Sequence, residues 1–189
     1  HTHTSLLPIE AQCTTPRMVG LMQDQAKIVI IGGGIVGCSV AYHLTQMGWK
    51  DILVVEQGPL FETGGSTSHA PGMVFQANSS KVMSQFAKYT CELYSSLELR
   101  GAPCYYRCGG MEVAWSKERW EDLKRKTAAG KVWGLEVDLL GRNEARDKVP
   151  LLSDKIYGAM YSAGDGVTKQ VWAAEAMANA ARERRAAFH

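Results

Sequence analysis

Lys27-Ile28-Val29-Ile30-Ile31-Gly32-Gly33-Gly34-Ile35-Val36-Gly37 decides the fold. A short β-branched run leads straight into Gly-x-Gly-x-x-Gly, which reads as a buried parallel strand feeding a tight turn and a helix. Gly32 permits the sharp turn out of the strand. Gly34 leaves the backbone open to a phosphate, and Gly37 lets the helix pack closely on the sheet. The helix is predicted from Ile35 to Met47, with Val36, Val40, Ala41, Leu44 and Met47 on its apolar face and Gly48 as its stop. Ile52 to Val55 follows as a second strand ending at Glu56. Strand, helix and strand together imply a right-handed crossover and a parallel sheet. The fold class is therefore α/β, built on a Rossmann-type β-α-β unit.

This unit carries its own chemistry. The backbone N–H groups of Ile35 and Val36 open the helix without intrahelical partners, and the helix dipole favours an anion there. Glu56 can accept hydrogen bonds from both hydroxyls of a ribose and disfavours a 2′-phosphate. The implied ligand is a dinucleotide, with NADP the least favoured; the unit alone does not choose between FAD and NAD.

The next motif addresses that choice. Gly64-Gly65-Ser66-Thr67-Ser68-His69-Ala70-Pro71-Gly72 offers small side chains, three hydroxyls and an imidazole just beyond the ribose position. Such a loop can fold over a pyrophosphate and the dimethylbenzene edge of a flavin. His69 is a nitrogen nucleophile at neutral pH, able to add to an activated flavin 8α-methyl carbon. From the residues alone, a surface or merely hydrogen-bonded histidine is the competing reading.

Bulk properties narrow the rest. The chain has 189 residues, 46% hydrophobic and 21% charged, enough for one domain or a domain and a half. A net charge of +2 gives no electrostatic case for nucleic acid or a membrane surface. Arg182, Arg184 and Arg185 read as a solvated helix face. Five cysteines without a visible secretory signal point to free thiols in a reducing compartment, either cytoplasm or mitochondrial matrix. Cys104 and Cys108 lack a second pair, so no metal site is expected. No apolar run approaches the roughly 20 residues of a membrane helix. The opening His1-Thr2-His3 would bind copper only at a processed terminus. Met18 or Met22 is an alternative start, and residues 1–25 read as a disordered lead poor in transit-peptide features.

Residues 57–78 read as a loop. A helix is predicted over 79–98, its stripe of Val82, Phe86, Tyr89/Thr90, Leu93 and Leu97 taken as core packing. Then come a strand from Gly110 to Ala114, a helix from Ser116 to Ala129 and a strand from Glu136 to Leu140. A short helix precedes Pro150, a strand covers Tyr157 to Ser162, and Asp165-Gly166 reads as a turn. The last helix is predicted from Gln170 to Ala187. The later strands carry no second glycine fingerprint and suit part of an inserted α+β substrate domain. The expected organisation is a nucleotide unit with its flavin loop over 26–78, then a partial cap over 79–189, an incomplete fold.

From Lys27 to about Leu97 the chain resembles the family of dimethylglycine oxidases, dimethylglycine dehydrogenases and sarcosine dehydrogenases. The likeness is closest at Gln57-Gly58-Pro59-Leu60 and from Gly64 to Gln76, and looser at Gly109-Gly110-Met111-Glu112-Val113-Ala114 and Asp165-Gly166. It implies a fold of the D-amino-acid-oxidase kind and FAD bonded covalently through His69. Carried over by position, Gly32, Gly34, Ile35, Val36 and Gly37 form the pyrophosphate turn. Glu56 and Gln57 lie on the ribose side, Ser66, Thr67, Ser68 and His69 on the flavin side, and Met73 near the ring. The implied reaction is oxidation of an N-methyl amine by hydride transfer, with oxygen or an electron-transfer flavoprotein as acceptor. Tetrahydrofolate enters as a possible one-carbon acceptor in a full-length protein. The catalytic acid or base and the rest of the flavin site are expected beyond His189, so the segment alone is expected to be inactive. Other readings are an amino-acid or 2-hydroxy-acid oxidoreductase of the same fold, an NAD-dependent dehydrogenase, and a non-catalytic nucleotide-binding fragment.

Overall fold

The computed structural model describes residues 25–62 and 64–189. The readings of residues 1–24 and Thr63 lie outside it. Strand β1 (Ile28–Ile31), helix α1 (Ile35–Gln46) and strand β2 (Ile52–Val55) form the expected unit, with β1 and β2 parallel and Ile30 opposite Val54. Gly48, at a φ of 86°, ends the helix.

The inward side of α1 keeps Ala41 and Leu44 of the expected stripe but not Val36, Val40 or Met47. The buried residues are Gly37, Cys38, Ala41 and Thr45. Val36 and Met47 are both 74% exposed, and Val40 is 42% exposed. The reason is the partner. Helix α6 (Gln170–Glu183) buries Ala173, Ala174, Ala176, Met177, Ala178 and Ala181. Cys38 joins Ala178 in one core cluster and Ala41 joins Ala181 in another. Small side chains on both helices let the axes approach, and close contact rather than residue hydrophobicity selects the face.

The loop over 57–78 holds two short elements, helix α2 (Ser66–His69) and strand β3 (Met73–Val74). Helix α3 spans Lys81–Ser95 and is N-capped by Ser80, whose side chain accepts the N–H of Met83. Its apolar stripe is core only at the C-terminal end. Val82, Phe86 and Tyr89 are at least half exposed, and the helix instead buries Ser84 and Cys91. Its C-terminal part packs as expected, Leu93 lying against the core cluster that holds the buried Leu97, while the Tyr89 hydroxyl lies 2.8 Å from His43 Nε2 of α1.

A hairpin of β4 (Glu98–Leu99) and β5 (Ala102–Pro103) leads to β6 (Tyr105–Tyr106) and β7 (Gly110–Ala114). Helix α4 (Lys117–Val132) is capped by Ser116, and strand β8 (Val137–Gly141) follows it. Next come helix α5 (Arg142–Lys148), strand β9 (Gly158–Ser162) and strand β10 (Gly166–Thr168). The expected turn at Asp165-Gly166 thus sits slightly earlier, because Gly166 already pairs as strand. Strands β7, β9 and β8 make an antiparallel sheet in that order. Leu123 of α4 is buried completely against Ala114, Val137 and Met160 on one side of this sheet. Ala145 and Ile156 pack with Ala159 on the other.

Helix α6 ends sooner than expected, and Ala187–Phe188 forms β11, parallel to β2. The sheet order β1-β2-β11 places the latest strand beside the second one. A third sheet, ordered β3-β10-β6, joins the loop after α2 to one strand before the β7-β9-β8 sheet and one after it.

Candidate dinucleotide and flavin site

A cleft of about 480 Å³ opens where β1 meets α1. Gly32, Gly34, Ile35, Val36, Gly37, Glu56, Gln57, Ser66, Thr67 and Ser68 line it, so ten of the sequence-predicted positions converge there. His69 and Met73 fall outside this lining and are exposed.

The glycines have separate reasons. Gly32 has a φ of 105°, which a side chain disfavours, while its surroundings are open. A Cβ on Gly37 would overlap the carbonyl oxygen of Gly32, so the helix can sit this close only on glycine. At Gly34 a Cβ would lie 3.0 Å from Thr67 Oγ1. The group that Gly34 admits in this structure is therefore the threonine hydroxyl. Gly33 was missed from the pattern reading. Its N–H donates to Glu56 Oε2 at 2.7 Å, and a Cβ there would meet Leu60.

Thr67 also changes the expectation for the helix head. The N–H of Ile35 is not free; it donates to Thr67 Oγ1 at 2.9 Å. The hydroxyl of the second motif caps the helix of the first, across 32 positions of sequence. The N–H groups of Val36 and Gly37 have no acceptor among the described residues and remain available to an anion.

Glu56 is tied down by backbone donors. Oε1 accepts the N–H of Gln57 at 2.8 Å and that of Gly58 at 3.3 Å, in addition to the Gly33 bond on Oε2. The Gly33 N–H foremost, then Gly58, holds its carboxyl below the ordinary range. It therefore stays ionised, with Oε2 lone-pair capacity left for a hydroxyl. Behind the turn, Cys38 Sγ lies 3.2 Å from the Gly33 carbonyl, and burial pushes its thiol up to about 11. Such a thiol is inert packing.

The α2 turn fixes the histidine. Ser68 Oγ donates to the Gly65 carbonyl at 2.8 Å, and His69 Nδ1 lies 2.9 Å from the same oxygen. A carbonyl only accepts, so Nδ1 carries the proton. The neutral ring then presents its lone pair at Nε2.

The donor set suits an FAD: an open helix head for the diphosphate, an ionised carboxylate for the ribose, and a hydroxyl-rich turn beside them. The model of the family described as FAD dependent oxidoreductase (DAO) matches residues 27–189. The chain belongs to this family. Within it, the mouse (Mus musculus) mitochondrial pyruvate dehydrogenase phosphatase regulatory subunit is 38% identical over 162 residues. That match takes 84% of this chain and 18% of the relative. Human (Homo sapiens) mitochondrial sarcosine dehydrogenase is 31% identical over 167 residues, covering 86% of this chain and again 18% of the relative. The crystal structure of L-proline dehydrogenase from P. horikoshii superposes with a TM-score of 0.77 at 25% identity, over 88% of this chain and 44% of that one. The chain thus spans less than half of the solved relative and about a fifth of the curated ones. The structural match bears out the expected fold, an α/β FAD-binding unit present in part, and the matches to relatives bear out the sarcosine dehydrogenase resemblance.

Proposed function

We propose that this chain is the FAD-holding part of an oxidoreductase that oxidises a small N-methyl amine such as dimethylglycine or sarcosine, with His69 as a covalent anchor for the flavin. The observation that carries this reading is the bond from Ile35 N–H to Thr67 Oγ1. It seats the His69-bearing turn on the head of the dinucleotide helix. With FAD held at that helix, this turn would be the part of the chain that carries its covalent attachment. The family match and the 31% identity to sarcosine dehydrogenase support the substrate class.

The residues divide the work. Val36 and Gly37 offer N–H groups to the diphosphate at the positive end of α1. Glu56 and Gln57 sit at the ribose end. Ser66, Thr67 and Ser68 offer hydroxyls on the flavin side, and Met73 is assigned to the ring's neighbourhood. The Nδ1–H of His69, held by the Gly65 carbonyl, leaves Nε2 as the bonding atom, and the same carbonyl would stabilise the charge a substituted imidazole carries. When bound, FAD supplies the redox chemistry by accepting hydride from the N-methyl carbon. No residue of this chain is assigned as the base that keeps the amine unprotonated. The acceptor of the electrons is oxygen or an electron-transfer flavoprotein, and tetrahydrofolate is a candidate for the one-carbon unit.

The test uses the full-length protein that contains this segment. Acid denaturation followed by removal of small molecules should leave flavin absorbance on the polypeptide, and mass mapping should place it on the His69 peptide. His69→Ala should release the flavin. Flavin attached to another residue, or released from the wild type, would sink the covalent reading.

A second reading has its own ground in the 38% identity to a protein named as a regulatory subunit. On that reading the cleft binds FAD without turnover. Anaerobic addition of sarcosine or dimethylglycine separates the two, since only an oxidoreductase bleaches its bound flavin. An amino-acid substrate such as proline, or a 2-hydroxy acid, would bleach it in the same assay and move the substrate assignment.

A further inference from the structure

We propose that Asp165 is a positioning residue for the flavin loop, working as a buried latch on Gln76. The proposal rests on the flavin reading of that loop. Asp165 is 4% exposed and Gln76 is 7% exposed, although they stand 89 positions apart. Asp165 Oδ1 accepts the backbone N–H of Gln76 at 2.9 Å and the hydroxyl of Ser162 at 2.7 Å. The Gln76 side chain answers by donating Nε2–H to the Gly164 carbonyl at 2.6 Å. The Asp165 carbonyl accepts the N–H of Gly109 at 2.9 Å, which ties the latch to the entry of β7. The fit leaves no slack. A Cβ on Gly164 would overlap the Gln76 amide, and one on Gly110 would lie 2.8 Å from the Asp165 carboxylate.

The latch closes one end of a longer seam. Gln170 Nε2 donates to the Ala70 carbonyl at 2.6 Å, and Thr168 N–H to the Gly72 carbonyl at 2.7 Å. Met73 and Val74 pair with Val167 and Gly166. Residues 70–76 are thus stitched to 164–170, and Asp165 is the one charged side chain bonded to this strap among the described residues. His69 lies between two fixed points. Thr67 upstream is pinned to α1, and the strap downstream is pinned to the segment that follows the cap sheet. Burying a carboxylate is costly, and satisfied bonds to a charged acceptor are stronger than neutral ones. The seam therefore depends on Asp165 more than on any single backbone pair.

The experiment uses the full-length flavoprotein with Asp165→Ala, Asp165→Asn and a distant core control, Ile156→Val. Three readouts are taken: amide exchange over residues 70–78, visible circular dichroism of the bound flavin, and the fraction of flavin retained after acid denaturation. Asp165→Ala should lower protection of the Gln76 amide by about tenfold or more, from the loss of a charge-assisted bond. It should also shift the flavin dichroism and cut the retained fraction severalfold. Asp165→Asn, whose carbonyl still accepts both bonds, should restore all three toward wild type, and Ile156→Val should move none. Unchanged exchange in Asp165→Ala overturns the latch. So does lost protection with unaltered dichroism and retention, which would leave only a structural contact. If wild-type flavin is freely released, the His69 linkage fails by itself, while exchange and dichroism still decide the latch.

Discussion

Gly37 and Gly34 look equivalent in the motif and are not. A methyl on Gly37 meets the backbone oxygen of Gly32, which cannot move without opening the turn. A methyl on Gly34 meets a side-chain hydroxyl, and the backbone there (φ −75°) accepts alanine without strain. Gly37→Ala should cost about 3 kcal/mol and Gly34→Ala about 1 kcal/mol, by chemical denaturation of the holoprotein. Equal costs would mean that the turn, not the close approach, selects glycine. Thr67→Val keeps the shape and removes the acceptor from the Ile35 N–H, so a loss of about 1 kcal/mol is expected, with weakened FAD retention. Glu56 provides a pH prediction. Backbone N–H groups favour its ionised form, so its stabilisation is present above the ordinary glutamate value of about 4.3 and fades as pH falls through the lowered folded value. Glu56→Gln should flatten the acid limb of the stability curve. A limb as steep as the wild type's would place the acid sensitivity elsewhere.

At the scale of elements, the alanines of α6 matter through their size. Ala181→Leu inserts volume where Ala41 packs, and should cost about 1–3 kcal/mol in unfolding free energy. Leu123→Ala, at a fully buried position, should cost about 2–5 kcal/mol. The sequence made β1, α1 and β2 legible because a β-branched run, three spaced glycines and a terminal carboxylate each have one economical explanation. It made the buried face of α1 legible only in part, at Ala41 and Leu44. A hydrophobic stripe marks Val36 and Val40, but it is Cys38 and Ala41 that pack with the alanines of α6, while Gly37 lies against the Gly32 carbonyl. The same logic held for Leu93 and Leu97 of the α3 stripe and failed for Val82, Phe86 and Tyr89, since periodicity reports an apolar face without reporting what lies against it. Short elements such as α2 and β3 lack enough residues to show a period. Their bonds, Thr67 to Ile35 and Val74 to Gly166, depend on partners far along the chain. Ten predicted site residues converged because a glycine turn and a carboxylate at a strand end are local devices. His69 lies outside the cleft lining, its Nδ1 held 2.9 Å from the Gly65 carbonyl.

For the whole molecule, the parallel sheet has one open side. Among the described residues β1 pairs only with β2, while Val29 is 55% exposed beside Ile31 at 89%. An apolar edge strand of this kind promotes association. The isolated 189-residue chain should therefore self-associate by analytical ultracentrifugation, and Val29→Lys should lower the association. No change on adding that charge would shift attention to the α3 face. The other side of the sheet has a consequence in time. The N–H of Glu56 donates to the carbonyl of His189 at 2.7 Å, and the N–H of His189 to the carbonyl of Val54 at 2.9 Å. A ribosome making roughly 5–20 residues per second needs on the order of ten seconds to pass from one partner to the other. During that interval the nascent chain holds its glycine turn and carboxylate without the strand that will pair beside them, so this sheet is completed by a residue translated long after the first two strands.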